Sequence, residues 1–173
     1  KELSDAPPCL YVKGGIPEGP MVAVVGSRRY SAYGRSMAEN LSRAAVYAGW
    51  TVVSGLAFGI DAFAHRTALE AGGRTVAVLG GGLARIFPQE HVPLARDIAS
   101  RGGAVISEFP MEFPPSRTTF PVRNRIVSGL SRAVLVVEAA RRSGALITAD
   151  FALEQGRPVF AVPGNAEHRT ALL

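Results

Sequence analysis

The chain has 173 residues, 47% of them hydrophobic and 19% charged, and a net charge of +5. This is the size and make-up of one compact domain, and it excludes a disordered, collagen-like or low-complexity chain. No apolar run approaches the roughly 18 residues of a membrane span, no signal-peptide pattern opens the chain, and the single cysteine, Cys9, excludes an internal disulfide and suits a reducing, cytoplasmic setting.

Residues 1–20 read as an arm or the remnant of a preceding domain, and residues 21–173 as the domain itself. An initial lysine in place of methionine fits a piece trimmed from something longer. Met21–Val25 is a short buried strand, closed by Gly26-Ser27-Arg28. Ser31–Ala48 has helical spacing, with Met37, Leu41 and Ala45 on one face and Gly49 as its stop. Trp50–Val53 is a strand, and Ser54-Gly55 turns into a helix over Ile60–Ala71 that Gly72-Gly73 ends. Thr75–Leu79 is a third strand, followed by Gly80-Gly81-Gly82. Val92–Ser100 is a helix and Ala104–Ser107 a fourth strand. Glu108–Thr119 is a loop too rich in proline and polar residues for a regular element. Val122–Leu130 is a short helix, Ala133–Val137 a strand, Ala145–Gln155 a helix and Val159–Val162 a sixth strand.

Strands that alternate with helices across short connections indicate a parallel sheet covered on both faces. The strands are apolar without alternation, as buried parallel strands are. The expected fold is therefore α/β: a doubly wound, mostly parallel, Rossmann-like sheet. Ligands of such sheets bind beyond the carboxyl ends of the strands. The segments there are 26–29, 54–59, 80–82, 108–120, 138–148 and 163–164, and they hold most of the glycines and clustered arginines.

Charge is concentrated in the same places. Of the 19 basic residues 17 are arginine, the better bidentate phosphate ligand. Between Phe113 and Arg142 six arginines stand against the single acid Glu138, so that window alone carries +5. A second cluster holds Arg28, Arg29, Arg35 and Arg43 against Glu39. The bland alternative is two solvated faces.

The motifs narrow the chemistry. No G-x-x-x-x-G-K-[ST] occurs, so a P-loop is out. Gly80-Gly81-Gly82 imitates the opening of a dinucleotide fingerprint, but the third glycine position is Arg85, which leaves a tight turn. Gly26-Ser27-Arg28 joins a strand to a helix, where free N–H groups attract phosphate. In Ser54-Gly55-Leu56-Ala57-Phe58-Gly59-Ile60-Asp61 the acid is either a helix cap or half of an i, i+4 pair with His65. That pair has no third ligand, so no metal site is expected. Phe120-Pro121-Val122-Arg123-Asn124-Arg125 places two arginines and an asparagine in the first turn of a helix, against the dipole, unless an anion is present. Phe120 is a stacking candidate or a core residue. Ser143-Gly144 opens another helix, with Thr148 one turn in, after a strand ending at Glu138. The plain role for Glu138 is a salt bridge to a nearby arginine. His65, His91 and His168 have no Ser or Cys partner in the pattern, and no catalytic constellation or cofactor is indicated.

Taken in order, Gly26-Ser27-Arg28, Ser54 through Asp61, Phe120-Pro121 through Arg125, Ser128 through Ser131, Val137-Glu138-Ala139, Ser143-Gly144 with Thr148-Ala149, and Val162-Pro163-Gly164 resemble the Rossmann-like domain of the DNA processing protein A (DprA/Smf) family. The resemblance runs from about Tyr11 to Gly164, while Asn165–Leu173 departs from the family pattern. It implies binding of single-stranded DNA during natural transformation, loading of the RecA recombinase, a homodimer formed through this domain, and no catalysis. Members usually carry small flanking domains. The DNA-binding residues expected are Gly26, Ser27, Arg28, Ser54, Gly55, Phe120, Arg123, Asn124, Arg125, Ser143, Gly144 and Thr148, with Asp61 and Glu138 as polar pocket residues. Arg28, Arg123 and Arg125 are the expected phosphate ligands. The rival reading is a nucleotide sensor, or an enzyme resembling phosphoribohydrolases with Glu138 beside Arg123 or Arg125. That rival lacks the Pro-Gly-Gly-x-Gly-Thr loop of those enzymes.

Overall fold

The computed structural model describes residues 5–141 and 143–164. Residues 1–4, Arg142, and 165–173 with His168 lie outside the described residues. The strands are β1 Tyr11–Gly14, β2 Met21–Val25, β3 Thr51–Ser54, β4 Thr75–Val78, β5 Ala104–Ser107, β6 Ala133–Val136 and β7 Val159–Ala161. The helices are α1 Ala32–Tyr47, α2 Ile60–Glu70, α3 Val92–Ser100, α4 Thr119–Leu130 and α5 Gly144–Glu154. One sheet holds the strands in the order β1-β5-β4-β3-β2-β6-β7, all parallel except β1.

Side chains along the central strands alternate between two apolar layers. Ala23 and Val25 of β2 pack with Val53, Val76 and Val78 against Ile126 and Val127 of α4 and Ala145 and Ala149 of α5. Val24, between them, points to the other face with Val52, against Ala38 of α1 and Ile60, Ala64 and Ala68 of α2. Further along that face, Ala77 and Val105 meet Leu94, Ala95 and Ile98 of α3. Because helices cover both faces, every strand position of β2 to β5 is buried, which is why these strands read as largely apolar runs without alternation. The doubly wound α/β fold expected from the sequence is the fold observed.

Three expectations need correction. The expected arm contributes β1, which pairs antiparallel with β5 from Tyr11↔Ser107 to Gly14↔Ala104, so no structural divide falls between residues 20 and 21. Helix α4 begins at Thr119 rather than Val122, because Ser116 accepts the Thr119 N–H on its hydroxyl and the Phe120 N–H on its carbonyl. Pro121 then sits in the first turn, where a missing N–H costs no helical bond. Arg123, Asn124 and Arg125 are therefore a turn deeper than expected, away from the positive end of the dipole. A short 3-10 turn, Gln89–His91, also precedes α3.

Sheet order supplies the site. From β2 the chain steps outward through β3, β4 and β5, then returns to place β6 on the other side of β2. The loop after β2 leads to α1 on one face and the loop after β6 leads to α5 on the other. Between them a crevice must open at the carboxyl edge.

Candidate functional site

A cleft of about 850 Å³ occupies that crevice. Its walls come from the loops after β2, β3, β6 and β7 and from the N-terminal turns of α4 and α5. Of the residues expected from sequence, Gly26, Ser27, Arg28, Gly55, Phe120, Arg123, Asn124, Ser143, Gly144 and Thr148 line it, as do Asp61 and Glu138. Ser54 and Arg125 do not.

The floor is a buried polar network. Arg123 is only 5% exposed. One guanidinium nitrogen, Nη1, donates to the carbonyls of Gly55, at 2.7 Å, and Val78, so it ties together the ends of β3 and β4. Its Nε donates to Asn124 Oδ1 at 3.1 Å, and Asn124 Nδ2 donates to the Gly144 carbonyl at 3.0 Å. The Asp61 carboxylate accepts the N–H groups of Gly55 at 3.1 Å and Ala57 at 3.4 Å. These bonds hold the 55–59 loop in a shape that puts the buried Leu56 at φ 58°, a backbone state that a branched side chain rarely adopts. Gly55 has to be glycine, since a Cβ there would lie 2.6 Å from Arg123 Nη2. Burial pushes the Arg123 pKa down to about 10, and Asp61 opposes that shift. Burial raises the Asp61 pKa, with Arg123 and the two N–H groups pulling the other way. Both groups shift toward neutrality, so desolvation outweighs their mutual attraction.

Arg123 was expected on phosphate, or else in a salt bridge to Glu138. Among the described residues it forms no salt bridge to Glu138: its donors serve the Gly55 and Val78 carbonyls and Asn124, and Asp61 is its electrostatic neighbour. Arg125, another expected phosphate ligand, turns away from the cleft. It forms two bonds to Glu108, at 2.9 and 2.7 Å, and pairs with Asp5 at 3.2 Å.

The lip differs from the floor. Arg28 is exposed and its guanidinium carbon lies 5.5 Å from the centre of the Phe120 ring. Phe120 is half-buried and leans into the space left by Gly80, where a Cβ would come within 2.6 Å of the ring. Arg29, Arg117 and Arg141 line the same cleft and are exposed, and among the described residues none of these four arginines has an ion-pair partner. Arg29, Arg117 and Arg141 escaped the sequence reading as individuals. Their only signal was membership of the two charge clusters, and sheet order alone brings those clusters to one opening. Ser27 Oγ closes a local turn, accepting the Arg29 N–H at 3.0 Å and donating to its carbonyl at 2.7 Å.

The N-termini of α1 and α5 both reach the cleft, and they are not equivalent. At α1, Glu138 Oε2 accepts the Ser31 N–H at 3.0 Å and the Ser31 hydroxyl at 2.9 Å, and Ser31 Oγ accepts the Gly34 N–H at 3.0 Å. The protein's own carboxylate thus fills the anion position expected to attract phosphate after Gly26-Ser27-Arg28. The Glu138–arginine pairing required by the enzyme alternative is not assembled: Arg123 and Arg125 are both committed elsewhere. At α5, Ser143 makes no side-chain cap, and its buried Oγ has no partner among the described residues. Thr148 Oγ1 donates back to the Gly144 carbonyl at 3.4 Å. Ser54, outside the cleft, donates to the Val24 carbonyl at 2.7 Å and joins β3 to β2.

The i, i+4 pair of Asp61 and His65 does not converge. His65 is fully buried and its Nδ1 lies 2.7 Å from Thr75 Oγ1. The Thr75 hydroxyl donates to the Val52 carbonyl, so the imidazole must be the donor and Nε2 keeps a bare lone pair with no partner among the described residues. Burial, reinforced by His91 and Arg123, pushes the His65 pKa down to about 3.

The family model for DNA recombination-mediator protein A matches residues 1–172. Protein Smf of Escherichia coli is 50% identical over 163 residues, which are 93% of this chain and 44% of that protein. DNA processing protein DprA of Bacillus subtilis is 44% identical over 168 residues, 95% of this chain and 56% of that protein. The chain thus spans about half the length of these curated relatives. Among solved structures, DprA of Streptococcus pneumoniae superposes with a TM-score of 0.85 at 42% identity, covering 95% of this chain and 58% of that one. DNA processing protein A of Helicobacter pylori, described for a unique single-stranded DNA binding mode, superposes with a TM-score of 0.87 at 30% identity, covering 98% of this chain and 77% of that one.

Proposed function

Because the chain belongs to the DNA recombination-mediator protein A family, we propose that its cleft at the topological switch point holds single-stranded DNA with little sequence preference. The observation that carries this reading is the exposed Arg28 over Phe120, at 5.5 Å, with Arg29, Arg117 and Arg141 around the same opening. Cations that follow a backbone, beside an aromatic face that any base can stack on, are the general recipe for sequence-tolerant single-strand binding. The α5 N-terminus is the phosphate position, since at α1 the N-cap Ser31 is already bound by the Glu138 carboxylate. Arg123, Asn124 and Asp61 shape the cleft from below and touch no phosphate.

The test is a salt-dependent isotherm on matched single- and double-stranded oligonucleotides. Bases must be unpaired to enter the cleft, so the single strand should bind far more tightly at the same salt. Equal affinities would reduce the cleft to a nonspecific basic surface.

The wider activity is part of the same proposal. The protein acts in the cytoplasm as a homodimer that receives single-stranded DNA during natural transformation and loads RecA onto it. The family and the Helicobacter pylori relative's single-stranded DNA mode support this reading. Two clefts on one particle would raise avidity for long strands. Sedimentation showing only monomer at tens of micromolar would remove the homodimer.

A further inference from the structure

A second cleft, of about 570 Å³, lies beyond the first, between the 83–89 loop, α3 and the β1–β5 edge. Its charged lining residues are Lys13, Arg85 and Arg96, and no carboxylate lines it. Glu112 pairs with Arg85 at 3.0 Å from outside the lining. Two positive charges therefore remain over an apolar bed that includes Ile86, Val92 and Ala95. The 48% exposed ring of Phe87 forms one wall.

Phe87 also connects the two clefts. Its ring centre lies 5.9 Å from that of Phe120, which lines the first cleft beneath Arg28. Arg28, Phe120, Phe87 and then Arg96 and Lys13 form a run of cations and aromatic faces that crosses from one opening to the next. A polar chain with flat bases and a regular negative charge matches such a run, since every base has a stacking face and every linkage a phosphate.

We propose that the second cleft is a continuation site for single-stranded DNA: a strand held at the switch-point cleft steps over Phe120 and Phe87 and lays its next phosphates against Arg96 and Lys13. This inference rests on the single-strand reading of the first cleft. It predicts that binding improves with strand length within one protomer, and that the second cleft contributes only when the strand is long enough to reach it.

The experiment compares the full chain with its Phe87→Ala and Arg96→Ala variants on two oligothymidylates, one of about four nucleotides and one of about fifteen, by fluorescence anisotropy across a salt series. Both substituted side chains are exposed, so thermal melts of the variants should match the parent. On the long oligomer Phe87→Ala should lose about tenfold in affinity. Arg96→Ala should make the slope of log K against log salt shallower by about 0.7 on the long oligomer. On the short one Arg96→Ala should change nothing. An unchanged slope on the long oligomer, or equal losses on both lengths, overturns the continuation site. A parent chain that binds neither oligomer overturns the single-strand reading itself, a result distinct from either.

Discussion

Arg123 and Arg28 open on the same cleft, and the contrast between floor and lip is one of desolvation. Arg123 is 5% exposed, and its donors are consumed by the carbonyls of Gly55 and Val78 and by Asn124. Arg28 is exposed, with a phenyl ring as its neighbour and no ion-pair partner among the described residues. A buried guanidinium must have its donors satisfied by the protein, and once they are satisfied it holds shape. An exposed one keeps donors for a ligand. One residue type therefore stands in two different states at one cleft, satisfied by the protein at the floor and open to solvent at the lip.

The strongest way to break that comparison is to truncate both arginines. Arg123→Ala leaves the Gly55 and Val78 carbonyls without their buried donor and Asp61 without its compensating charge. It should cost about 3–5 kcal/mol of stability. Chemical denaturation measures this, and a loss below about 1 kcal/mol would mean that the floor network carries little weight.

The buried His65 of α2 should also titrate. The His65 pKa falls from 6.5 to about 3 on folding. A base with a depressed folded pKa binds protons first in the unfolded state, so its stability contribution is complete above about 6.5 and is lost as pH falls toward 3. Between pH 7 and pH 5 the protein should lose about 2 kcal/mol through this group. Denaturation curves of the parent and His65→Gln at the two pH values test it: the variant should show a smaller drop, and parallel drops would reassign the effect.

The smallest effect belongs to the lip. Arg28→Ala should leave stability within about 0.5 kcal/mol and cost about 1–2 kcal/mol of single-strand binding. The slope of log K against log salt should become shallower by about 0.7. Arg74→Ala, just before β4 and so at the amino edge of the sheet, should change neither. If Arg123→Ala flattened the slope and Arg28→Ala did not, the assignments of floor and lip would be reversed.

Much of this was legible in the chain. The largely apolar runs of β2 to β5 announce strands covered on both faces, and the glycines and arginines that follow them announce the edge where a ligand sits. The start of α4 was misjudged because Ser116, within a proline-rich loop, supplies the hydroxyl and carbonyl that begin the helix early. The strand Tyr11–Gly14 was misjudged because four exposed residues on an edge have no buried face to create a pattern. The pairing of Arg125 with Glu108 and Asp5, which takes it out of the cleft lining, was not legible because those partners lie 17 or more residues away in sequence.

Periodicity and turn residues are local, and each can be read within a few neighbouring positions. They determine the buried strands, the helices apart from the start of α4, the doubly wound class and the edge that carries the loops. Which arginine meets protein and which meets solvent depends on partners far away in the chain: Gly55 is 68 residues from Arg123, and Ser31 is 107 from Glu138. Only packing the helices onto the sheet brings those groups together. Burial then decides, through the cost of leaving a donor or a charge unpaired in the core, that Arg123 is bound up within the fold while Arg28 stays open to solvent.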